Sequence, residues 1–318
     1  MNLAGVTPYV NCLFEQPWWM EAVVPGRWRE FLVEEGGQVL ARWPVAEIHH
    51  EITTPRLTQT SGFWMAPDIA PADPRFTIRK RITNLLLDQL PPNIRTDLNL
   101  DPSVTYFLPM VWRDFLVEPR VSYRFHDVSD PGRLLHGFSA KTRQSIRNAE
   151  KKVTVEESED VGPLLVLLDK TFGRQHLRNP WSPELIRRLF GACLEHGACR
   201  LMYARDRDGR YHSGNLYVHD EKVCYALLSG SDPAFVASGA RTLLAWEGIR
   251  YASGVSAAFD FEGSMVEGIE HYFRQFGPSP VVYYHVCRES AGRRARREVA
   301  RWMAATARSF LLPGRKFI

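Results

Sequence analysis

Asp260 and Glu262 stand two residues apart in Phe259-Asp-Phe-Glu-Gly263, the segment of this chain with the clearest chemical content. Read as a strand, the alternation puts Phe259 and Phe261 on one face and both acids on the other. Like charges at that spacing repel. The pair is therefore either a proton-handling site or a solvated face matched by nearby arginines. Gly263 breaks the strand, and Ser264 with Glu267 three residues on has the spacing of a capping box. The helix it predicts runs to Gly277-Pro278. A strand ending in two acids delivers them to the carboxyl edge of a sheet, where open α/β folds hold ligands. There a carboxylate can take a proton from an attacking nucleophile.

Other segments add polar groups. On a helix over residues 141–152, Lys141, Gln144 and Asn148 form one stripe. Arg143, Arg147 and Lys151 form another at spacing four. The cationic stripe suits an anionic ligand or a solvated face. Arg174 and Gln175 close a further helix, where they can fix a carboxylate or phosphate or simply complement the helix dipole. Ser238, Gly239 and Ala240 are small residues ahead of a helix, a place where backbone N–H groups meet anions. Tyr283, Tyr284 and His285 lie on the last strand. Alternation turns at least one of them into the core, and the tyrosines are candidate proton donors.

The elements that must position these groups follow from periodicity. In the second half the order is β-α-α-β-β-β-α-β-α-β, beginning at Val153 and ending at Pro280–Cys287. Its meander comprises Cys199–Arg205, Tyr211–His219 and Lys222–Ser229, with turns at Asp208-Gly209 and Asp220-Glu221. This is an α/β chain with a mixed sheet, antiparallel first and then joined by crossovers. The first ~120 residues read as a worn copy of the same plan. A helix starts at Pro17-Trp-Trp, strands flank Glu34-Glu-Gly-Gly37, and an amphipathic helix covers Ile78–Leu90. Apolar segments follow near Ile94–Leu100 and Leu116–Phe125. The expected division is 1–126, 127–289 and a basic amphipathic helix or tail over 290–318, with Arg293, Arg294, Arg296, Arg297 and Arg301 crowded in its first half.

Bulk properties narrow the classes. The chain has 318 residues, 45% hydrophobic and 24% charged, with a net charge of +4, ordinary for a soluble globular protein. No apolar run is long enough to span a bilayer, and the N-terminus lacks a signal-peptide pattern. Five scattered cysteines without a Cys-x-x-Cys encode neither a disulfide framework nor a zinc site. The expected compartment is the cytoplasm, with no metal and no tightly bound cofactor. Gly-x-Ser-x-Gly, Walker and His-Glu-x-x-His motifs are all missing, which argues against serine hydrolase, P-loop NTPase and zincin chemistry.

Together, Phe259-Asp-Phe-Glu-Gly-Ser-Met265 with Phe273-Arg-Gln-Phe-Gly277, and Lys141-x-Arg-x-x-Ile-Arg-x-Ala-Glu-Lys151, resemble the Fem-like branch of the GNAT acyltransferase superfamily. Thr171-Phe-x-Arg-Gln175, Ser238-Gly-Ala240 and Gln16-Pro-Trp-Trp19 are similar to its bacterial N-acetyltransferase-like members. The resemblance implies two tandem GNAT-like lobes, the first degenerate, and transfer of an acyl group to an amine. The co-substrate would be aminoacyl-tRNA or an acyl-CoA, the acceptor an amine-bearing cell-envelope precursor, peptide or small molecule, and tRNA a partner in the first case. The resemblance makes Asp260 or Glu262 the proton acceptor and Tyr283 or Tyr284 the donor to the leaving group. Ser238, Gly239 and Ala240 would meet the acyl donor, and Lys141, Arg143, Arg147, Arg174 and Gln175 the anionic parts of the substrates. The family's pyrophosphate loop carries Arg or Gln and then Gly where this chain has Ala234 and Ala237. That departure favours aminoacyl-tRNA over acyl-CoA. A non-catalytic protein that only grips tRNA or a precursor is the alternative from another class.

Overall fold

A computed structural model describes residues 6–263 and 265–289. In the first lobe the strands are β1 (Trp28–Glu35), β2 (Gln38–Ile48), β3 (Glu51–Thr53), β4 (Trp64–Met65), β5 (Arg95–Asn99) and β6 (Leu116–Phe125). Its helices are α1 (Pro17–Val23), α2 (Ile69–Ala72), α3 (Thr77–Asp88) and α4 (Leu108–Val111). Helices α5 (Pro131–Gly137) and α6 (Ala140–Glu150) lead into the second lobe. That lobe runs β7 (Thr154–Glu157), α7 (Gly162–Gly173), α8 (Pro183–Glu195), β8 (Cys199–Arg205), β9 (Tyr211–His219) and β10 (Val223–Ser231). It ends with α9 (Ala240–Ala252), β11 (Ala258–Asp260), α10 (Glu267–Arg274) and β12 (Ser279–Arg288). The order expected for the second half is the order found.

Local chemistry explains most boundaries. Gly36 and Gly37 both take positive φ between β1 and β2, the conformation a tight hairpin demands. Ser139 caps α6 by accepting the Thr142 N–H at 3.2 Å, and Ser182 caps α8 through the Leu185 N–H at 3.2 Å. The capping box expected at Ser264 and Glu267 falls partly outside the described residues. Helix α10 opens at Glu267 with Val266 as its N-cap, and Ser264 lies outside the described residues. Gly263 has φ of 38° and lies against Val121 of β6. The linker from Ser231 to Ala240 contains a short 3-10 turn, Pro233–Ser238, capped by Asp232. The basic helix expected over 290–318 also lies outside the described residues.

The strands form one sheet in the order β1-β2-β3-β5-β12-β6-β11-β10-β9-β8-β7, with β4 on β2. Among these pairs β3–β5 and β10–β11 are parallel and the rest antiparallel. Strand β12 inserts between β5 and β6, so the last strand of the second lobe completes the sheet of the first. Two layers cover the second half. Helices α7 and α8 pack with α1 on one face around Leu168, Leu189 and Tyr225. Helices α6, α9 and α10 cover the other around Ile146, Leu244, Phe259 and Phe273. A third core, with Trp43, Ile82, Leu86 and Leu98, fills the first lobe beneath α3.

One buried acid makes the stability of this frame pH-dependent. Glu15 is fully enclosed, and its carboxylate accepts the N–H groups of Asn11 at 2.7 Å and Gly62 at 3.0 Å. Burial, then the neighbouring Asp101 carboxylate, outweigh those hydrogen bonds and raise its pKa from the ordinary 4.5 to about 8. The folded state thus holds a proton that the unfolded chain releases, and this contribution, complete below pH 4.5, disappears as pH climbs to about 8. Glu15→Gln, which imitates the protonated acid, should flatten the fall of Tm between pH 5 and pH 9. Thermal melts across that range check it; an unchanged slope would assign the effect elsewhere.

Candidate active site

Strands β10 and β11 run parallel over three residue pairs only, Val223 with Ala258, Cys224 with Phe259 and Tyr225 with Asp260. Beyond them β10 is bulged against β9 between Tyr225 and Leu228. Strand β11 pairs on its other side with β6, Asp260 opposite Arg124, and ends at Asp260 while β10 runs on to Ser231. The sheet therefore splits at its carboxyl edge, a place where α/β proteins hold ligands. Phe259 and Phe261 face the α6–α9–α10 layer as alternation requires, and Asp260 faces the other side.

Partners across the sheet share a face, so one face of the central strands carries a continuous polar strip. It includes Asp260 and Arg124, Ser122, Arg120 opposite Tyr283, and Glu118 opposite His285, which in turn lies opposite Asn99. The segment after β3 lies along this strip. Thr54 donates to the Asp97 carbonyl at 3.1 Å, and Ser61 to that of Asn99 at 2.7 Å. Gln59, on the same segment, reaches Ser122 Oγ at 3.0 Å.

The two acids have different environments. Asp260 is 0% exposed and saturated. Its Oδ2 accepts Arg124 Nε at 2.8 Å; its Oδ1 accepts the Glu262 N–H at 2.7 Å, the Ser122 hydroxyl and, at 3.4 Å, Gln59. Such a carboxylate organises its neighbours. Glu262 has φ of 59°, a backbone state that costs a non-glycine residue about 1–3 kcal/mol. The residue is half-buried, but its Oε1 is sealed from solvent without a hydrogen-bond partner. Burial, then the charge of Asp260, push its carboxyl well above the ordinary carboxylate range. Gly263 keeps the turn close to the sheet: a Cβ there would stand 2.3 Å from the Val121 carbonyl oxygen.

The tyrosines separate as alternation requires. Tyr283 lies directly across from Arg120; burial raises the pKa of its hydroxyl, the Arg120 charge partly offsets this, and the charges of Glu262 and Asp260 add to the rise. It remains a protonated phenol at neutral pH. Tyr284 points to the opposite face and packs on Phe107 with ring centroids 4.5 Å apart.

The remaining sequence-derived residues do not converge on this strip. Lys141 and Arg147 are exposed on α6, in the layer on the opposite side of the sheet. Arg147 donates to Gln144, and Arg143 to the His136 carbonyl at 2.9 Å, closing the end of α5. Arg174 and Gln175 are exposed at the end of α7, on the same side of the sheet as Asp260. Ser238, Gly239 and Ala240 lie under α6. Gly239 has φ of 79°, and a Cβ on it would meet Ser145 O at 2.8 Å. The N–H of Ala240 goes to Ser238 Oγ, and those of Thr242 and Leu243 both go to the Gly239 carbonyl. These donors at the head of α9 are engaged by the chain itself.

Arg120, Ser122 and Arg124 were not among the residues singled out above. Their signal is plain once β6 is treated as a strand: Glu118, Arg120, Ser122 and Arg124 alternate with Pro119, Val121, Tyr123 and Phe125. Gln59 and Asn99 carry no comparable signal, because the fold brings them in from separate segments.

Residues 138–274 match the family model described as acetyltransferase (GNAT) domain. Across the whole chain the fold is similar to that of FemX, at 15% identity and a TM-score of 0.65, covering 87% of this chain and 92% of FemX. It is also similar to a tandem GNAT protein from the clavulanic acid biosynthesis pathway, at 10% identity, TM-score 0.54, and 89% of both chains. A third likeness is to the C-terminal domain of a putative lysylphosphatidylglycerol synthetase from Agrobacterium fabrum, at 12% identity and TM-score 0.53, over 85% and 87% of the two chains. No curated protein sequence matches the chain.

Proposed function

We propose that this chain, a GNAT acetyltransferase domain set in a FemX-like tandem fold, transfers an acyl group to an amine held between its two lobes. The observation that carries this reading is the unpartnered, sealed Glu262 Oε1 at the split between β10 and β11. A carboxyl group kept above its ordinary range is matched to taking a proton near neutral pH.

In the step envisaged, the amine lone pair attacks the acyl carbon and a C–N bond forms. The bond to the leaving oxygen or sulfur breaks, ionised Glu262 takes the ammonium proton, and the Tyr283 hydroxyl supplies a proton to the leaving atom. Most of the acceleration comes from positioning. Asp260, locked by Arg124, anchors the Glu262 backbone, and its charge adds to the burial that holds the Glu262 pKa high. As donor we favour an aminoacyl ester such as aminoacyl-tRNA. Ala234 and Ala237 replace the family's loop residues, and the N–H groups of Ala240, Thr242 and Leu243 at the head of α9 are engaged internally.

The test is transfer of a labelled acyl group to an amine, followed by mass spectrometry, with aminoacyl-tRNA and acetyl-CoA in separate arms. Product from aminoacyl-tRNA alone supports the full reading, and product from acetyl-CoA alone overturns the donor assignment. Retention of tRNA without product from either donor would indicate a binding protein and overturn transfer.

A further inference from the structure

Beside Tyr283 the polar strip opens into a cavity of about 250 Å³, whose lining includes Arg56, Thr58, Asp97, Asn99, Arg120 and His285. Its charges are unevenly matched. Asp97 is committed to Arg95 at 3.3 Å and to His285 Nε2 at 2.9 Å. Arg56 donates to the Pro180 carbonyl, and Arg120 lies across from Tyr283 on the neighbouring strand. Neither guanidinium has a carboxylate partner among the described residues. Asn99 gives its side-chain N–H to the Gln59 carbonyl at 3.1 Å, while its Oδ1 is sealed and accepts nothing. The cavity thus presents two cationic forks lacking an anion and one buried acceptor lacking a donor. Both deficits cost free energy until a ligand or water meets them.

We propose that this cavity selects the acceptor, taking an oxyanion on Arg56 and Arg120 and a neighbouring N–H on Asn99 Oδ1. The acceptor is then an amine that carries a carboxylate or phosphate, such as an amino acid, a short peptide or a phosphorylated amine. Simple alkylamines and polyamines are excluded. Arg120 is well placed for this role, because it lines the cavity and stands directly across the sheet from Tyr283. Anion recognition and proton transfer therefore meet at one tyrosine. This inference rests on the acyl-transfer reading for its purpose but not for its test.

Binding is measured by calorimetry on the full chain without any donor, using glycylglycine, glycylglycinamide and O-phosphoethanolamine. Glycylglycine or O-phosphoethanolamine should bind about 10–100-fold tighter than the uncharged-terminus amide, the range expected for a charge-assisted pair. Which of the two binds identifies the oxyanion. Arg120→Gln should abolish the preference, and Arg56→Gln, at an exposed position, should reduce it with an unchanged Tm. Glu262→Gln should retain it. Equal affinity for all three probes, no binding of any, or an intact preference in Arg120→Gln would overturn the proposal. A preference without transfer from any donor would leave the anion site standing and remove the acyl-transfer reading alone.

Discussion

Glu262→Gln should lower turnover by about 10²–10⁴-fold, the usual contribution of a positioned general base, with little effect on folding or acceptor affinity. The substitution preserves shape and removes only the group that can take the proton. It also removes a like charge beside Asp260, so the fold should be unharmed or slightly stabilised. The backbone at this position already has φ of 59°, and glutamine keeps the same side-chain bulk there. Steady-state kinetics separate the possibilities: a loss confined to kcat supports proton transfer, and a loss confined to KM would make Glu262 a binding group.

The pH profile adds a second criterion. A base works only when ionised, and burial with the Asp260 charge holds Glu262 protonated above the ordinary carboxylate range. Wild-type kcat should therefore rise with pH along a limb displaced upward from about 4.3. In Glu262→Gln that limb should vanish. A wild-type rate already flat from pH 5 upward would show that no raised carboxyl controls the step.

How much of this was legible in the letters depends on how local the cause is. The meander β8–β10 and the helices after Pro163 and Ser182 follow from alternation, turn residues and caps, all encoded within a few residues. The two acids were equally visible, but the common strand face expected from period two is not found: β11 ends at Asp260, and Glu262 sits beyond it with φ of 59°. Their division of labour was not visible. It depends on Arg124, Ser122 and Gln59, which β6 and the segment after β3 bring from more than a hundred residues away. Arg143 shows the converse. Its spacing with Arg147 suggested an anion site, yet its nearest acceptors are carbonyls at the end of α5. Helical periodicity names a face without naming what lies against it.

The Asp260–Arg124 pair should be the costliest polar contact to break. Asp260 is 0% exposed and Arg124 only 15%, so neither charge can be rescued by water. Asp260→Asn leaves the guanidinium without its anion and can turn an amide N–H toward Arg124 Nε, donor against donor. Stranding one partner of a buried pair costs about 3–5 kcal/mol. At about 2 °C per kcal/mol for a chain of this size, Tm should fall by roughly 6–10 °C. Arg124→Gln should be similarly destabilising, because it leaves the Asp260 carboxylate buried with only neutral donors. The double variant should lose less than the sum, since two amides can bond each other where two stranded charges were left. Melts of the two single variants and the double variant close that cycle. Additive losses would mean that the pair contributes little beyond packing. A stable Asp260→Asn with abolished turnover, beside a fully active Glu262→Gln, would exchange the roles of the two acids and make Asp260 the base.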